Sequence, residues 1–162
     1  MSRQPPDEKT AVPLDEWDRQ ILRLLQLDAT QPLSLIGSKV GLSKTAVWNR
    51  IQRMTAEGVI LRQAVILDPQ KVGLTETFFV IIRTNHHNDA WWRQFLELIL
   101  KFPEIMEAHR MAGQIDYLLK VQVESTRAFD EFYKELVSQI EIFDVTSNLS
   151  METMKYETSL AI

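Results

Sequence analysis

The stretch from Leu33 to Ile60 constrains the fold of this chain more than any other part of the sequence. Gly41 and Ser43 divide it into two short amphipathic segments. Glycine is the commonest residue just beyond a helix C-terminus, and serine is a favoured N-cap. Three apolar residues of the second segment share one face at helical spacing: Val47, Ile51 and Met54. The pattern predicts two helices joined by a tight turn.

The opposite face of the second helix carries polar side chains that suit a nucleic-acid surface. Such groups can bond to base edges in a major groove or to phosphates. An upstream helix, capped by Asp15, completes a helix-turn-helix unit over residues 14–60 and leaves the last helix exposed. The predicted DNA-contacting residues are Ser43, Lys44, Thr45, Trp48, Asn49, Arg50, Gln52 and Arg53. The alternative is a plain three-helix bundle with a polar outer face.

Three details of this unit are interpreted separately. The expected apolar stripe of the upstream helix is Trp17, Ile21, Leu24 and Leu25. Arg50 has two possible roles, a phosphate contact or an ion pair with Glu57 or another acid of the same domain. Gly37 lies inside a predicted helix, where glycine is expected to reduce stability.

The charge of the chain is unevenly distributed. The formal net charge is −4, which is unusual for a protein that binds DNA. Residues 1–62 hold nine Lys and Arg against seven Asp and Glu, a net +2, so residues 63–162 carry a net −6. The positive charge is concentrated on the helix-turn-helix, which is therefore expected to make the DNA contact.

Several kinds of site are disfavoured by composition. The absence of cysteine excludes disulfides and thiolate metal sites, which fits a cytoplasmic protein. Residues 1–13 are polar and read as a flexible arm rather than a signal peptide, and no apolar run has the length of a membrane span. His86 and His87 are adjacent and cannot both face one side of a strand, so a shared metal is disfavoured. We expect no metal, no cofactor and no catalytic residues.

The second half of the sequence alternates between helical and strand spacing of its apolar residues. Residues 61–73 are expected to form a linker strand and turn, and residues 74–162 a second domain. Its predicted order is β-α-β-β-α-β, with Asn88 or Asp89 capping the first helix and Ser125 the second. The first helix is expected to bury Trp92, Phe95, Leu96 and Ile99. The fold class is thus α+β: an N-terminal, winged-helix-like helix-turn-helix domain and a C-terminal ferredoxin-like effector and oligomerisation domain.

The first strand of the second domain, over residues 74–83, is apolar on both faces. Two helices can cover one face of the sheet, whereas the other would be bare in a monomer. An exposed apolar face of this size predicts a partner. Two such sheets packed face to face would form a symmetric dimer, and a dimer would place two recognition helices on paired half-sites.

Four segments together resemble the Lrp/AsnC family of transcription regulators: LDEWDRQILRLLQLDA, VGLSKTAVWNRIQRMTAEGVI, MAGQIDYLLKV and DVTSNLSMETMKY. The resemblance covers the chain from Leu14 to Ile162. It implies dimers that often assemble into octamers and a protein associated with the nucleoid. It also implies an amino-acid effector bound between subunits. The HHNDAW segment and the ending TSLAI also resemble a subgroup that includes a cysteine-responsive regulator, which makes cysteine the first candidate effector.

The resemblance also implies an effector site. Its expected residues are Ala112, Gly113, Asp116, Thr126, Asn148, Leu149 and Ser150. Asp116 would bind the effector's ammonium group, and backbone amides near Gly113 would bind its carboxylate. Gln114 stands where relatives often have an acidic residue, and Asn148 stands where the leucine-responsive protein has a tyrosine. These differences disfavour leucine as the effector.

Three functions remain open from the sequence. The leading one is a sequence-specific DNA-binding transcription regulator that responds to a small amino acid. The second is an enzyme resembling sirohaem decarboxylases, in which His109 and Arg110 would serve a tetrapyrrole. The third is a nucleoid-type architectural protein that wraps DNA without an effector.

Overall fold

The structure, a computed structural model, describes residues 11–162. The expected arm over residues 1–13 lies almost entirely outside the described residues. The described chain divides into two compact units. One contains the residues up to Val65 together with Lys155–Ile162, and the other contains Ile66–Met154.

The first unit holds three helices: α1, Glu16–Leu27; α2, Leu33–Val40; and α3, Lys44–Ala56. The predicted signals at their ends are present. Ser43 accepts a hydrogen bond from the amide of Ala46 at 3.1 Å, and Gly41 ends α2 in the left-handed region with a φ of 74°. The small core consists of Ile21, Leu22, Ile36, Val40, Val47, Ile51 and Met54.

The buried face of α1 differs from the predicted stripe. Trp17 is 48% exposed, whereas Asp18 is fully buried beside Ile21 and Leu22. The prediction was wrong at Trp17 because it counted only apolar side chains. Asp18 can be buried as an anion because two arginines of α3 bond to it.

Gly37 is explained by a close approach of two backbone segments. A Cβ added at this position would lie 2.5 Å from the carbonyl oxygen of Leu42. Any side chain would therefore force α2 away from the turn that leads into α3. The sequence offered no reason for a glycine that lowers helix propensity here, and the structure supplies one, because the contact requires a residue without a Cβ.

The tail Lys155–Ile162 packs with the first unit, although it follows the sheet domain in the sequence. The Gln26 side chain accepts a hydrogen bond from the amide of Leu160 at 2.6 Å and donates one to its carbonyl at 3.1 Å. Arg23 donates to the backbone oxygen of Ile162 at 2.6 Å. These contacts attach the tail to α1.

The linker forms the predicted turn but not the predicted strand. The amide of Leu74 donates to the carbonyl of Pro69 at 2.9 Å, which closes the turn. Residues 61–67 have no regular secondary structure, although Leu61, Val65 and Leu67 are exposed apolar residues. A strand needs a neighbouring strand for its backbone hydrogen bonds, and within the described chain this segment has none.

The second unit has the predicted β-α-β-β-α-β order. Its elements are β1, Glu76–Arg83; α4, Asp89–Ile99; β2, Ile105–Arg110; β3, Tyr117–Val123; α5, Thr126–Gln139; and β4, Asp144–Leu149. The strands form one antiparallel sheet in the order β2-β3-β1-β4. Its core joins strands to helices, as where the ring of Phe78 stacks on that of Phe129 with centroids 3.7 Å apart.

Helix α4 is capped by Asn88 and buries Phe95, as predicted, but Trp91 and Leu98 are buried in place of Trp92 and Ile99. Trp91, Phe95 and Leu98 are buried, whereas Trp92 is 36% exposed. The indole nitrogen of Trp91 donates to the carbonyl of Glu141 at 2.8 Å. That hydrogen bond allows Trp91 to be buried, and periodicity alone could not choose between the two adjacent tryptophans.

The sheet has one covered and one open face. Phe78, Val80 and Ile82 of β1 are buried, whereas Phe79 on the other face is 39% exposed and Ile81 is half-buried. The cross-strand partners of Phe79 are Lys120 and Asn148. The open face is therefore apolar at its centre and polar at its flanks. None of the helices within residues 11–162 has the length and hydrophobicity needed to cross a bilayer.

Candidate nucleic-acid interface and effector site

One side of α3 forms an exposed ridge of three polar side chains and one indole. Its members are Thr45, Trp48, Asn49 and Gln52. With 3.6 residues per turn, these positions project opposite the core-facing Val47, Ile51 and Met54. The ridge has the size and chemistry of a helix that enters the major groove of DNA.

Ser43 and Lys44 lie where this helix begins. The hydroxyl oxygen of Ser43 is used as the N-cap, so this residue shapes the helix start. Lys44 is exposed beside it. A lysine at this position can reach a phosphate as a flexible point charge.

Arg50 is bonded within its own domain. Its Nη1 donates to Asp15 Oδ2 and to Asp18 Oδ1, both at 2.7 Å. Its guanidinium carbon also lies 5.5 Å from the centre of the Trp17 ring, within cation–π distance. Of the two roles left open by the sequence, the structure shows an intradomain ion pair, formed with Asp15 and Asp18.

Arg53 shares the same buried carboxylate. Its Nη2 donates to Asp18 Oδ2, and its side chain is 43% exposed, compared with 25% for Arg50. Hydrogen bonding to Asp18 raises the pKa of both guanidinium groups. Burial alone would raise the pKa of Asp18, but hydrogen bonds from Arg50, Arg53 and the Asp15 amide lower it below 3.8. All three groups are therefore charged at neutral pH.

Sequence reasoning missed Asp18 as the buried ion-pair partner of Arg50 and Arg53. A signal was available, because Asp18 precedes Ile21 and Leu22 by three and four positions and so shares their face of α1. A carboxylate on the buried face of a helix requires cationic partners. The inward-facing flank of α3 offers Arg50 and Arg53.

The expected effector residues form two separate groups in one chain. Gly113 and Asp116 lie in the turn that precedes β3, whereas Thr126 follows the far end of that strand. Seven residues of β3 separate the groups, which corresponds to ~20 Å of extended chain. The second group includes Ser150, whose amide donates to the carbonyl of Thr77 at 2.8 Å beside the start of β1.

Asp116 already has a structural role. Its Oδ2 accepts a hydrogen bond from the amide of Thr84 at 2.8 Å, and its own amide donates to the carbonyl of Ile82 at 3.1 Å. These bonds attach the turn to the end of β1. Beside it, Gly113 has a φ of 127°, a conformation that side chains disfavour, and Ala112 is exposed. The turn thus presents exposed backbone next to a half-buried carboxylate.

His86 and His87 are neighbours in the segment between β1 and α4, whereas His109 lies on β2. His86 pairs with Glu141 at 3.4 Å, whereas His109 pairs with Glu107 at 3.3 Å on β2. Lys120 also bonds to Glu107 at 2.9 Å and, together with His109, lowers the pKa of that carboxylate. Within residues 11–162 no group of three or more His, Asp or Glu side chains is arranged to hold a metal ion.

Comparison with known proteins agrees with this geometry. Residues 14–55 match the AsnC-type helix-turn-helix domain, and residues 77–160 match the Lrp/AsnC ligand binding domain. The chain belongs to the Lrp/AsnC family. It is similar to the DNA-binding transcriptional activator DecR of Escherichia coli K12, with 43% identity over 92% of this chain and 99% of that protein.

Two solved structures of transcriptional regulators resemble the fold over most of the chain. An AsnC family transcriptional regulator from Agrobacterium tumefaciens is 47% identical and superposes with a TM-score of 0.88 over 91% of this chain and 97% of its own. A transcriptional regulator from Neisseria meningitidis, solved as a complex with L-methionine, is 25% identical with a TM-score of 0.86 over 92% and 97%. The predicted fold class is confirmed.

Proposed function

We propose that this Lrp/AsnC family member is a sequence-specific DNA-binding transcription regulator whose DNA affinity or assembly responds to a small amino acid. The observation that carries the proposal is the exposed ridge of α3, formed by Thr45, Trp48, Asn49 and Gln52 on a capped helix. Positive charge is concentrated in the same unit, while the rest of the chain is acidic. Attraction to phosphate would therefore favour contact through α3.

The effector is proposed to bind in the sheet domain, and its site would need two copies of the chain. The group around Gly113 and Asp116 and the group around Thr126 and Ser150 lie at opposite ends of β3. A single amino acid cannot bridge that distance. A site formed by one group from each of two subunits would let both groups contact the same amino acid. This supports an effector that changes assembly.

The open face of the sheet supports a homodimer as the basic assembly. Phe79 and Ile81 are only partly covered in one chain, and a second sheet would bury them. From the family resemblance we also propose that such dimers assemble into octamers and that the protein is cytoplasmic and nucleoid-associated. We further propose that it has no enzymatic activity and that cysteine is the first effector to test.

Binding of DNA is tested by fluorescence anisotropy with a labelled duplex from the gene's own upstream region and a scrambled duplex of equal length. We expect preference for the upstream duplex and a steep loss of affinity with added salt. Asn49→Ala should remove the preference, whereas Ser34→Ala, at an exposed position of α2, should keep it. Equal affinity of the wild type for both duplexes would contradict sequence-specific binding.

The effector is tested by thermal-shift measurements with each of the twenty amino acids. A ligand that binds only the native protein raises its melting temperature. Asp116→Asn should abolish that rise, whereas Asp130→Asn on the surface of α5 should preserve it. A flat response to every amino acid would favour the effector-independent architectural protein.

A further inference from the structure

Two arginines of α3 converge on one carboxylate of α1. Asp18 is fully buried, and each of its oxygens accepts from a different guanidinium group, Oδ1 from Arg50 and Oδ2 from Arg53. Oδ2 also accepts from the Asp15 amide at 3.1 Å. The carboxylate therefore connects the helix that would contact DNA to the helix behind it, and fixes the rotation of α3 about its axis.

The two arginines differ in what they still expose. Arg50 bonds to two carboxylates, lies against the Trp17 ring and is three-quarters buried, so its side chain is held on the protein. Arg53 bonds to Asp18 alone among the side chains of residues 11–162, and 43% of its side chain is exposed. A guanidinium group has five N–H donors, so Arg53 can bond to Asp18 and to a phosphate at once.

The position of Arg53 around the helix also separates it from the ridge. At 100° per residue, Arg53 lies about 80° from Thr45, on the side of α3 that faces α1. When a helix lies in the major groove, its outermost ridge meets the bases and its flanks meet the sugar-phosphate backbone. Because Asp18 holds one end of its guanidinium group, Arg53 is directed toward that backbone.

We propose that Asp18 is a positioning residue that holds Arg53 as a phosphate contact at the flank of the recognition helix. Base readout is then left to the ridge formed by Thr45, Trp48, Asn49 and Gln52. Arg50 makes no DNA contact and locks α3 to α1 through Asp15 and Asp18. This inference rests on the proposed DNA-binding function and assigns separate roles to residues that the sequence placed in one group.

The proposal predicts different consequences for specificity and for affinity. Asp18→Asn keeps the shape of the side chain, removes one negative charge and breaks the ion pairs of Asp18 with both arginines, while Arg50 keeps its bond to Asp15. Non-specific DNA affinity should be kept or increased, because the domain becomes more positive. Preference for the specific duplex should fall about tenfold, the loss typical of one misplaced base contact, because α3 is no longer held at one rotation.

The experiment begins with selection of preferred duplexes from a randomised pool by the wild-type protein. The affinities of each variant for the selected duplex and for a scrambled duplex are then measured over a range of salt concentrations, and the selection is repeated with each variant. Asp130→Asn is the matched control, since it makes the same chemical change on exposed α5, where Asp130 pairs with Lys134. We expect this control to retain the wild-type ratio of the two affinities.

A second variant tests the role of Arg53 even if Asp18→Asn folds poorly. Arg53→Gln should weaken binding to both duplexes by the same factor, lower the salt slope by about 1 and leave the selected base sequence unchanged, as loss of one phosphate contact does. Asn49→Ala should instead change the selected bases. Altered base preference with Arg53→Gln would overturn the proposal, because Arg53 would then read a base.

The remaining outcomes separate this inference from the proposed function. If the wild type selects no sequence, the proposed function fails first. If it does select a sequence and a folded Asp18→Asn variant keeps the full affinity ratio, Asp18 has no positioning role. If Asp18→Asn lowers both affinities equally, in proportion to its unfolded fraction, its role is structural only and the inference is rejected.

Discussion

Replacing Gly37 with alanine is expected to destabilise the first unit, although the same change stabilises most helices. In an ordinary helix interior Gly→Ala gains about 0.5–1 kcal/mol, because glycine loses more backbone freedom on folding. Here the new Cβ would lie 2.5 Å from the Leu42 carbonyl oxygen, well inside van der Waals contact. The neighbouring atom is backbone in the turn before α3, so relief requires α2 or the turn to move.

The expected magnitude follows from these two opposing effects. Forcing extra volume into a close-packed contact costs about 1–3 kcal/mol, and the gain in helix propensity offsets up to about 1 kcal/mol of that. The net loss should therefore be about 1–2 kcal/mol. Movement of the turn would also displace Ser43, which caps α3, so operator binding should weaken in the same variant.

The assay is urea unfolding of the full chain, monitored by tryptophan fluorescence. Trp91 and Trp92 are replaced by phenylalanine in every protein compared, so that the signal comes from Trp17 and Trp48. Ser34→Ala is the matched control, because it adds no new contact on an exposed position of the same helix and should change stability by less than about 0.5 kcal/mol. A Gly37→Ala protein as stable as its parent would refute the close-approach explanation.

Three further changes have expected results. Ser43→Ala should cost about 1 kcal/mol, because the Ala46 amide loses its N-cap acceptor, and urea unfolding measures this. Leu136→Ala should cost about 2–5 kcal/mol, because Leu136 is fully buried in the second unit, and a loss below 1 kcal/mol would contradict that packing. Burial raises the pKa of Asp18, but hydrogen bonds from Arg50 and Arg53 outweigh burial and hold the folded-state pKa below its unfolded-state value. Asp18 therefore stabilises the fold above the unfolded-state pKa, and this stabilisation is lost as pH falls through the folded-state pKa. Acid titration of Asp18→Asn should show a smaller loss of stability with falling pH than the wild type shows.

Local patterns predicted the elements of this fold. The caps at Asp15, Ser43, Asn88 and Ser125 were identified from sequence, because capping depends on residues within one turn of each other. Alternation along β3 placed Leu119, Val121 and Val123 on the buried face for a similar reason. The order of helices and strands then followed from the order in which helical and strand spacing of apolar residues occur along the chain.

The errors arose where a side chain meets a distant part of the chain. The choice between Trp91 and Trp92 depended on the carbonyl of Glu141, fifty residues away. The linker over residues 61–67 has the composition of a strand but finds no partner strand within the described chain. Neither outcome is encoded in local periodicity, because each depends on which backbone groups lie nearby after folding.

The sequence by itself determined that this chain has a helix-turn-helix with a polar recognition face, followed by a ferredoxin-like sheet domain. These features arise from spacing, caps and alternation, which act over a few residues. Only the tertiary structure showed that Asp18 is buried beneath Arg50 and Arg53, and that Gly37 leaves room for the Leu42 carbonyl. Both depend on α1, α2 and α3 approaching closely, and such contacts between helices leave no periodic signal in the sequence.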